Sequence, residues 1–180
     1  YTDQYVRLKN SCTTPILTGE DIYLKEGFMD LFEKKAIAIC HPDLATSGGL
    51  LETKKIGDLA QEHGIAMALH MAGHPVTLFS SVHCAAATEN FMVMEHHNVD
   101  DAWYDELVTG VPQPLMDEEG FIPVPNSPGL GIELNEDAVK SHLEDPAKEY
   151  FAPTPEWDNE RAWDRLWSRT EPVVKEPRSV

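Results

Sequence analysis

The sequence predicts an α/β fold: four strand-plus-helix units of a parallel βα barrel, followed by an irregular, partly helical extension. Three observations point there. Short runs that are apolar at nearly every position alternate with stretches of helical periodicity, as expected of parallel strands covered on both faces. Glu20, Asp43, His70 and Glu95 each close one of those runs, and they recur 23, 27 and 25 residues apart. A parallel connection needs a crossover, usually a helix, so successive strands end on one edge at a regular interval. Side chains that end such strands converge on the C-terminal face of a barrel, where barrel active sites lie, which makes these four residues the site candidates.

The first strand is Pro15-Ile16-Leu17-Thr18-Gly19-Glu20, followed by a helix over residues 22–34 with Leu24, Phe28, Leu31 and Phe32 as its apolar stripe. Ala36-Ile37-Ala38-Ile39-Cys40 is the second strand and runs into His41-Pro42-Asp43. Thr46-Ser47-Gly48-Gly49 then offers hydroxyl caps and a tight entry to a helix. Ile56, Leu59, Ala60 and His63 follow helical spacing in that helix, and Gly64 is its stop. The third strand is Ile65-Ala66-Met67-Ala68-Leu69-His70, the third helix covers residues 75–88 with Val76, Phe79, Val82 and Ala86 on one side, and Phe91-Met92-Val93-Met94-Glu95 is the fourth strand.

Residues 1–97 thus make the barrel portion and residues 98–180 the extension. Up to residue 135 the extension is rich in Pro, Gly and acids, and residues 128–134 are at most a short extended segment. Asn135 can cap a short helix that runs through Leu143, and Trp157, Trp163 and Trp167 fall on a later helical stretch ending near Arg169. Those tryptophans are expected to anchor the tail on other protein surface.

At 180 residues the chain is long enough to bury a single core, and its apolar and charged fractions are those of a globular protein. The net charge of −17 is uneven: residues 1–97 carry 12 acids against 7 bases, and residues 98–180 carry 19 against 7. Nucleic acid is therefore excluded as a partner, since its recognition needs a basic face. An anionic substrate would need a local attractor such as a bound divalent cation. Cys12, Cys40 and Cys84 are odd in number and widely spaced, which fits a reduced, cytoplasmic protein. No run approaches the roughly 20 apolar residues that span a bilayer, and no basic-then-apolar leader opens the chain, so no membrane partner is expected. Four units are half of a closed barrel, and alone they would leave two open edges. The chain also opens on Tyr1 rather than Met. The other strands are expected upstream in a longer polypeptide or in another chain.

Thr18-Gly19-Glu20, Pro42-Asp43-Leu44 with Gly48-Gly49, Ala68-Leu69-His70, Ala85-Ala86-Ala87-Thr88-Glu89-Asn90-Phe91, Met94-Glu95 and Pro128-Gly129-Leu130-Gly131-Ile132-Glu133 occur in that order at barrel spacing. In this pattern the chain resembles the C-terminal half of an enolase-superfamily enzyme of the mandelate racemase type, most like the acid-sugar dehydratases. The resemblance implies four βα units of a TIM-like barrel, with residues 98–180 packing on a capping domain. It implies that Glu20, ending the fifth barrel strand, is one of three ligands of an Mg²⁺ ion, which favours hard oxygen donors. The strands that would carry the other two ligands are absent from this sequence. Asp43 and His70 match the family's catalytic dyad, in which the carboxylate orients and charges the imidazole. Glu95 matches a glutamate near the substrate carboxylate that, if protonated through burial and neighbouring acids, can stabilise an enolic intermediate. His74, His96 and His97 receive no role from the resemblance; loop solvation is expected of them, with His74 a distant candidate for touching substrate.

The implied activity is Mg²⁺-dependent dehydration of a sugar acid, a lyase reaction in which an α-proton is removed and the β-hydroxyl expelled. Racemisation or cycloisomerisation on the same scaffold are the alternatives, together with a non-catalytic acidic interaction module. The expected partners are the small-molecule sugar acid, further copies in a homo-oligomer, and the N-terminal half of the barrel with its capping domain.

Overall fold

Four parallel strands lie side by side in chain order: β1 (Leu17–Thr18), β2 (Ile39–Cys40), β3 (Ala66–Leu69) and β4 (Phe91–Met94). This computed structural model describes residues 1–97, 101–143 and 145. The sheet pairs Leu17 with Ile39, Ile39 with Ala66 and Met67 with Phe91, and a register shift between Met67 and Ala68 puts Ala68 opposite Val93. The first three strands are each followed by a helix, as the alternating pattern requires: α2 (Leu24–Glu33) after β1, α3 (Leu44–Ser47) with α4 (Leu50–Glu62) after β2, and α5 (Pro75–Ala86) after β3. A further helix, α1 (Thr2–Ser11), precedes the sheet; its polar sequence gave no apolar stripe to read, and none of its residues is buried.

The ladders are shorter than the apolar runs that foretold them. Ala36 and Ile37 are fully buried yet precede the paired residues of β2, so an apolar run records burial and not strand pairing. The core joins Phe28, Leu31 and Phe32 of α2 to Ile56 and Ala60 of α4 and to Met67 and Leu69 of β3. Two helix faces differ from expectation. Leu24 is exposed at the start of α2, and α5 buries Leu78, Phe79, Val82 and Ala85 while Val76 faces out. Thr46 and Ser47 do not cap the long helix either. Gly49 stands at its N-cap without a side-chain bond, and Ser47 is buried with its hydroxyl 2.7 Å from Thr53 Oγ1.

The edge strands are not covered on both faces within the described residues: Met92 and Val93 of β4 are 55% and 52% exposed, and Leu17 of β1 is exposed as well. The change of composition at residue 97 falls inside one packed unit, because the chain divides only after Glu136. Tyr104, Val108 and Leu115 form a second cluster with Met71, Leu78 and Phe79, and the Tyr104 hydroxyl donates to Gly73 O at 3.0 Å. The extended segment near residue 134 is β6 (Glu133–Leu134), antiparallel to β5 (Val108–Thr109). A short helix, α6 (Glu136–Ser141), follows Asn135. Trp157, Trp163 and Trp167 lie outside the described residues. No helix among the described residues is long and apolar enough to cross a membrane.

Candidate active site

The ends of the strands are zipped beyond the regular ladder, and this brings the site together. His41 N–H donates to Thr18 O at 3.0 Å, His70 N–H to Pro42 O at 3.1 Å and Glu95 N–H to Leu69 O at 2.9 Å. Asp43 and His70 form an isolated parallel bridge past the ends of β2 and β3. The residues that close neighbouring strands are thereby held side by side. Gly19 makes the approach possible at the first strand end. Its φ is +141°, and a Cβ there would stand 2.6 Å from the Phe28 ring and 3.2 Å from His41 N.

His70 is mostly buried and lies at the centre. Its Nδ1 is 2.6 Å from Asp43 Oδ2, and its Nε2 is 3.0 Å from Glu20 Oε2 and 3.5 Å from Glu95 Oε2. The other oxygen of Asp43, Oδ1, accepts backbone N–H groups from Ala45 at 2.6 Å and Thr46 at 3.3 Å, capping α3. That cap locks the carboxylate. Because an ionised carboxylate only accepts, the ring must carry its proton on Nδ1, leaving Nε2 directed at Glu20 and Glu95.

Two histidines join the cluster that sequence reasoning did not select. His41 Nδ1 donates to Ala68 O at 2.9 Å, its Nε2 is 3.4 Å from Glu95 Oε2, and its ring meets His70 edge-on at a centroid distance of 5.2 Å. His97 Nε2 is 2.6 Å from Glu95 Oε1. A signal was present: His41 precedes Asp43 by two residues and His97 follows Glu95 by two, and in extended chain such residues share a face. His97 is exposed, as expected of a solvated loop, and touches Glu95 as well. His74 precedes α5 and lies against Trp103, and His96 lies against Tyr104, so neither ring contacts the cluster by any of these interactions. Burial pushes the His96 imidazole below its usual value.

Glu95 also departs from expectation. Burial pushes its carboxyl up, but the His97 hydrogen bond and the charges of His70, His97 and His41 outweigh it, so the group titrates below the usual carboxylate range. The sequence suggested a neutral, proton-donating Glu95 because burial and neighbouring acids were weighed and the charges of His70, His97 and His41 were not. The geometry therefore assembles all four candidates, Glu20, Asp43, His70 and Glu95, about one imidazole.

A model of the enolase C-terminal domain-like family matches residues 1–138. The chain belongs to that family. Among enolase C-terminal domain-like relatives, it is 38% identical over 133 residues to the D-xylonate dehydratase of Haloferax volcanii, covering 74% of this chain and 32% of that protein. It is 30% identical over 162 residues to the D-galactonate dehydratase of Verminephrobacter eiseniae, covering 87% of this chain and 40% of that one. The crystal structure of a mandelate racemase/muconate lactonizing enzyme-like protein from Rubrobacter xylanophilus superposes with a TM-score of 0.75 at 37% identity, covering 79% of this chain and 36% of that one. The chain thus spans between about a third and two fifths of the length of these relatives. The resemblance read from the motifs and the α/β fold with its parallel sheet agree with these findings.

The donor set bears on the Mg²⁺ that the family implies. Glu20, with its side chain half exposed at the rim, offers a hard oxygen as the ion requires, whereas His41 and His70 offer imidazole nitrogens. Magnesium therefore fits Glu20 and not the histidines.

Proposed function

We propose that the polypeptide to which this chain belongs is a sugar-acid dehydratase, a lyase that removes the proton α to a carboxylate and expels the β-hydroxyl as water. The observation that carries this is the Asp43–His70 pair, joined at 2.6 Å and set between two further carboxylates at the ends of adjacent parallel strands. The similarity to xylonate and galactonate dehydratases supports the substrate class, a C5 or C6 aldonic acid.

In this reading His70 Nε2 exchanges the proton: it takes the α-hydrogen or delivers one to the departing hydroxyl, according to the substrate's stereochemistry. Asp43 holds the ring through Nδ1, so that Nε2 is the nitrogen left to exchange the proton, and stabilises the charge that proton uptake creates. Glu20 would hold Mg²⁺, whose contribution when bound is to offset negative charge on the substrate carboxylate. Glu95, ionised between three imidazoles, keeps His70 in register and borders the substrate space. Loss of water leaves a C2–C3 enol; C3, the carbon that lost the hydroxyl, takes a proton from solvent while the C2 hydroxyl gives one up, yielding a 2-keto-3-deoxy acid.

The test is incubation of the intact polypeptide with Mg²⁺ and a panel of sugar acids in D₂O, followed by NMR of the products. Dehydration removes a hydroxyl and incorporates deuterium at C3. Exchange at C2 with every hydroxyl retained would instead favour a racemase, a reading supported by the name of the Rubrobacter protein. Absence of any turnover or stoichiometric metal binding would favour the interaction module. Assembly with the N-terminal barrel half and into a homo-oligomer, and a cytoplasmic location, belong to the same proposal.

A further inference from the structure

Between the end of β3 and the start of α5 the chain runs through His70, Met71, Ala72, Gly73 and His74. Both ends of this turn are bonded: His70 N–H donates to Pro42 O at 3.1 Å, and His74 O accepts the Leu78 N–H at 3.0 Å. Among the described residues, the hydrogen bond that reaches the stretch between them comes from the Tyr104 hydroxyl, which donates to Gly73 O at 3.0 Å. Gly73 also lies so close to α5 that a Cβ there would stand 2.9 Å from Thr77 Cβ. The turn is caught between Thr77 and Tyr104. Tyr104 is 1% exposed and shares one apolar cluster with Met71, the residue after His70, and with Met94, the residue before Glu95. Its ring lies 5.5 Å from that of His96, the residue after Glu95. One side chain therefore braces the backbone that carries both His70 and Glu95. The brace is itself anchored: Gln113 Nε2 donates to Asp105 O at 3.1 Å and to Val108 O at 3.2 Å, and Asn135 Nδ2 donates to Glu106 O at 2.8 Å. Burial, with the charges of Asp105 and Asp101, pushes the Tyr104 hydroxyl above its ordinary value, so it stays a donor.

We propose that Tyr104 is a positioning residue: by bonding Gly73 O it fixes the turn that follows His70, and with it the placement of the imidazole for proton transfer. The segment after residue 97, expected from the sequence only to pack on a capping domain, thus helps to set the site. A turn released at Gly73 lets His70 shift, and proton transfer falls steeply with small misplacements of the reacting groups. Glu20 closes β1 and lies outside the brace, so Mg²⁺ binding should not respond. The effect on turnover rests on the dehydratase reading above, while the hold on the imidazole rests on geometry alone.

The test compares two variants of the intact polypeptide. Tyr104→Phe removes the hydroxyl and keeps the ring in its cluster, while Leu115→Ala weakens the same cluster and leaves the bond to Gly73 in place. The readouts are kcat and KM for a sugar acid with Mg²⁺, the Mg²⁺ affinity and, without substrate, the ¹H–¹³C signal of the His70 ring, assigned by its absence in His70→Asn. That signal reports ring placement, because His41 meets His70 edge-on at a centroid distance of 5.2 Å and ring-current shifts change steeply with displacement. Tyr104→Phe is expected to lower kcat about ten- to a hundredfold at unchanged KM and Mg²⁺ affinity, and to move the His70 signal. Leu115→Ala should lower the urea midpoint and change neither kcat nor the signal. A folded Tyr104→Phe protein with wild-type kcat or an unmoved signal would overturn the proposal, as would an equal loss of kcat in Leu115→Ala or a parallel loss of Mg²⁺ affinity. Should Tyr104→Phe fail to fold, the exposed-site variant Gln113→Ala, which frees the anchored segment, decides by the same readouts. Wild-type protein that turns over no sugar acid would sink the dehydratase reading, and the His70 signal would then decide the brace alone.

Discussion

Asp43 divides its carboxylate between two neighbours: Oδ2 meets His70 Nδ1 at 2.6 Å, and Oδ1 takes the Ala45 N–H at the same distance. The residue that starts α3 is therefore the residue that orients the central imidazole. Ring and helix are tied to one rigid group.

That double duty separates two substitutions. Asn can still cap a helix, but its amide NH₂ facing His70 would favour the opposite tautomer and remove the Nε2 lone pair. Asp43→Asn is expected to keep stability within about 0.5 kcal/mol of wild type and to lower kcat by about 10²–10⁴. Asp43→Ala should lose the same activity and about 1 kcal/mol of stability besides. Urea titration and steady-state kinetics on the pair check this, and equal stability of the two variants would contradict the capping role.

Gly19 is the position where backbone conformation governs the site most directly. A methyl group there would strike the Phe28 ring and crowd His41 N, and the positive φ adds strain. Gly19→Ala is expected to cost about 1–3 kcal/mol, measurable as a lowered urea midpoint. Wild-type stability in that variant would mean that the β1 end is looser than described.

The metal role of Glu20 is open to calorimetry. Mg²⁺ should bind the intact polypeptide stoichiometrically, and Glu20→Gln should weaken that binding by about tenfold or more, because an amide is a poorer ligand for a hard cation than a carboxylate. His41→Asn should leave Mg²⁺ affinity unchanged. A Glu20→Gln protein that binds Mg²⁺ as well as wild type would remove the residue from the metal site.

The cysteines give a prediction that needs no substrate. Cys40 is fully buried and its thiol is pushed up to about 12 by desolvation, and burial also raises Cys84, whereas Cys12 is exposed. A thiol reagent at pH 8 should therefore modify one cysteine per native chain quickly and the other two only on unfolding. The sign of the pH effect follows. The native chain keeps a proton on Cys40 that the unfolded chain releases above its ordinary value of 9.0, so stability should fall as pH rises from there toward about 12.

The four strand-end residues were legible because a parallel sheet places them by spacing alone, and spacing is visible in sequence. Helix positions were legible too, through stripes such as Phe28, Leu31 and Phe32. Strand lengths were not, since Ile37 is apolar for burial without pairing. Nor was the environment of Glu95, which depends on His41 and His70 arriving from neighbouring strands as well as on His97 two residues away. The packing of Tyr104 onto Phe79 was hidden for the same reason.

The central claim is that His70, held by Asp43, moves the substrate proton. It is tested most directly by ¹H NMR in D₂O of the intact polypeptide and its His70→Asn variant, each with Mg²⁺ and the best sugar acid from the panel. Wild type is expected to yield a 2-keto-3-deoxy acid carrying deuterium at C3, and the folded, Mg²⁺-binding variant no product. Undiminished turnover by His70→Asn would contradict the claim.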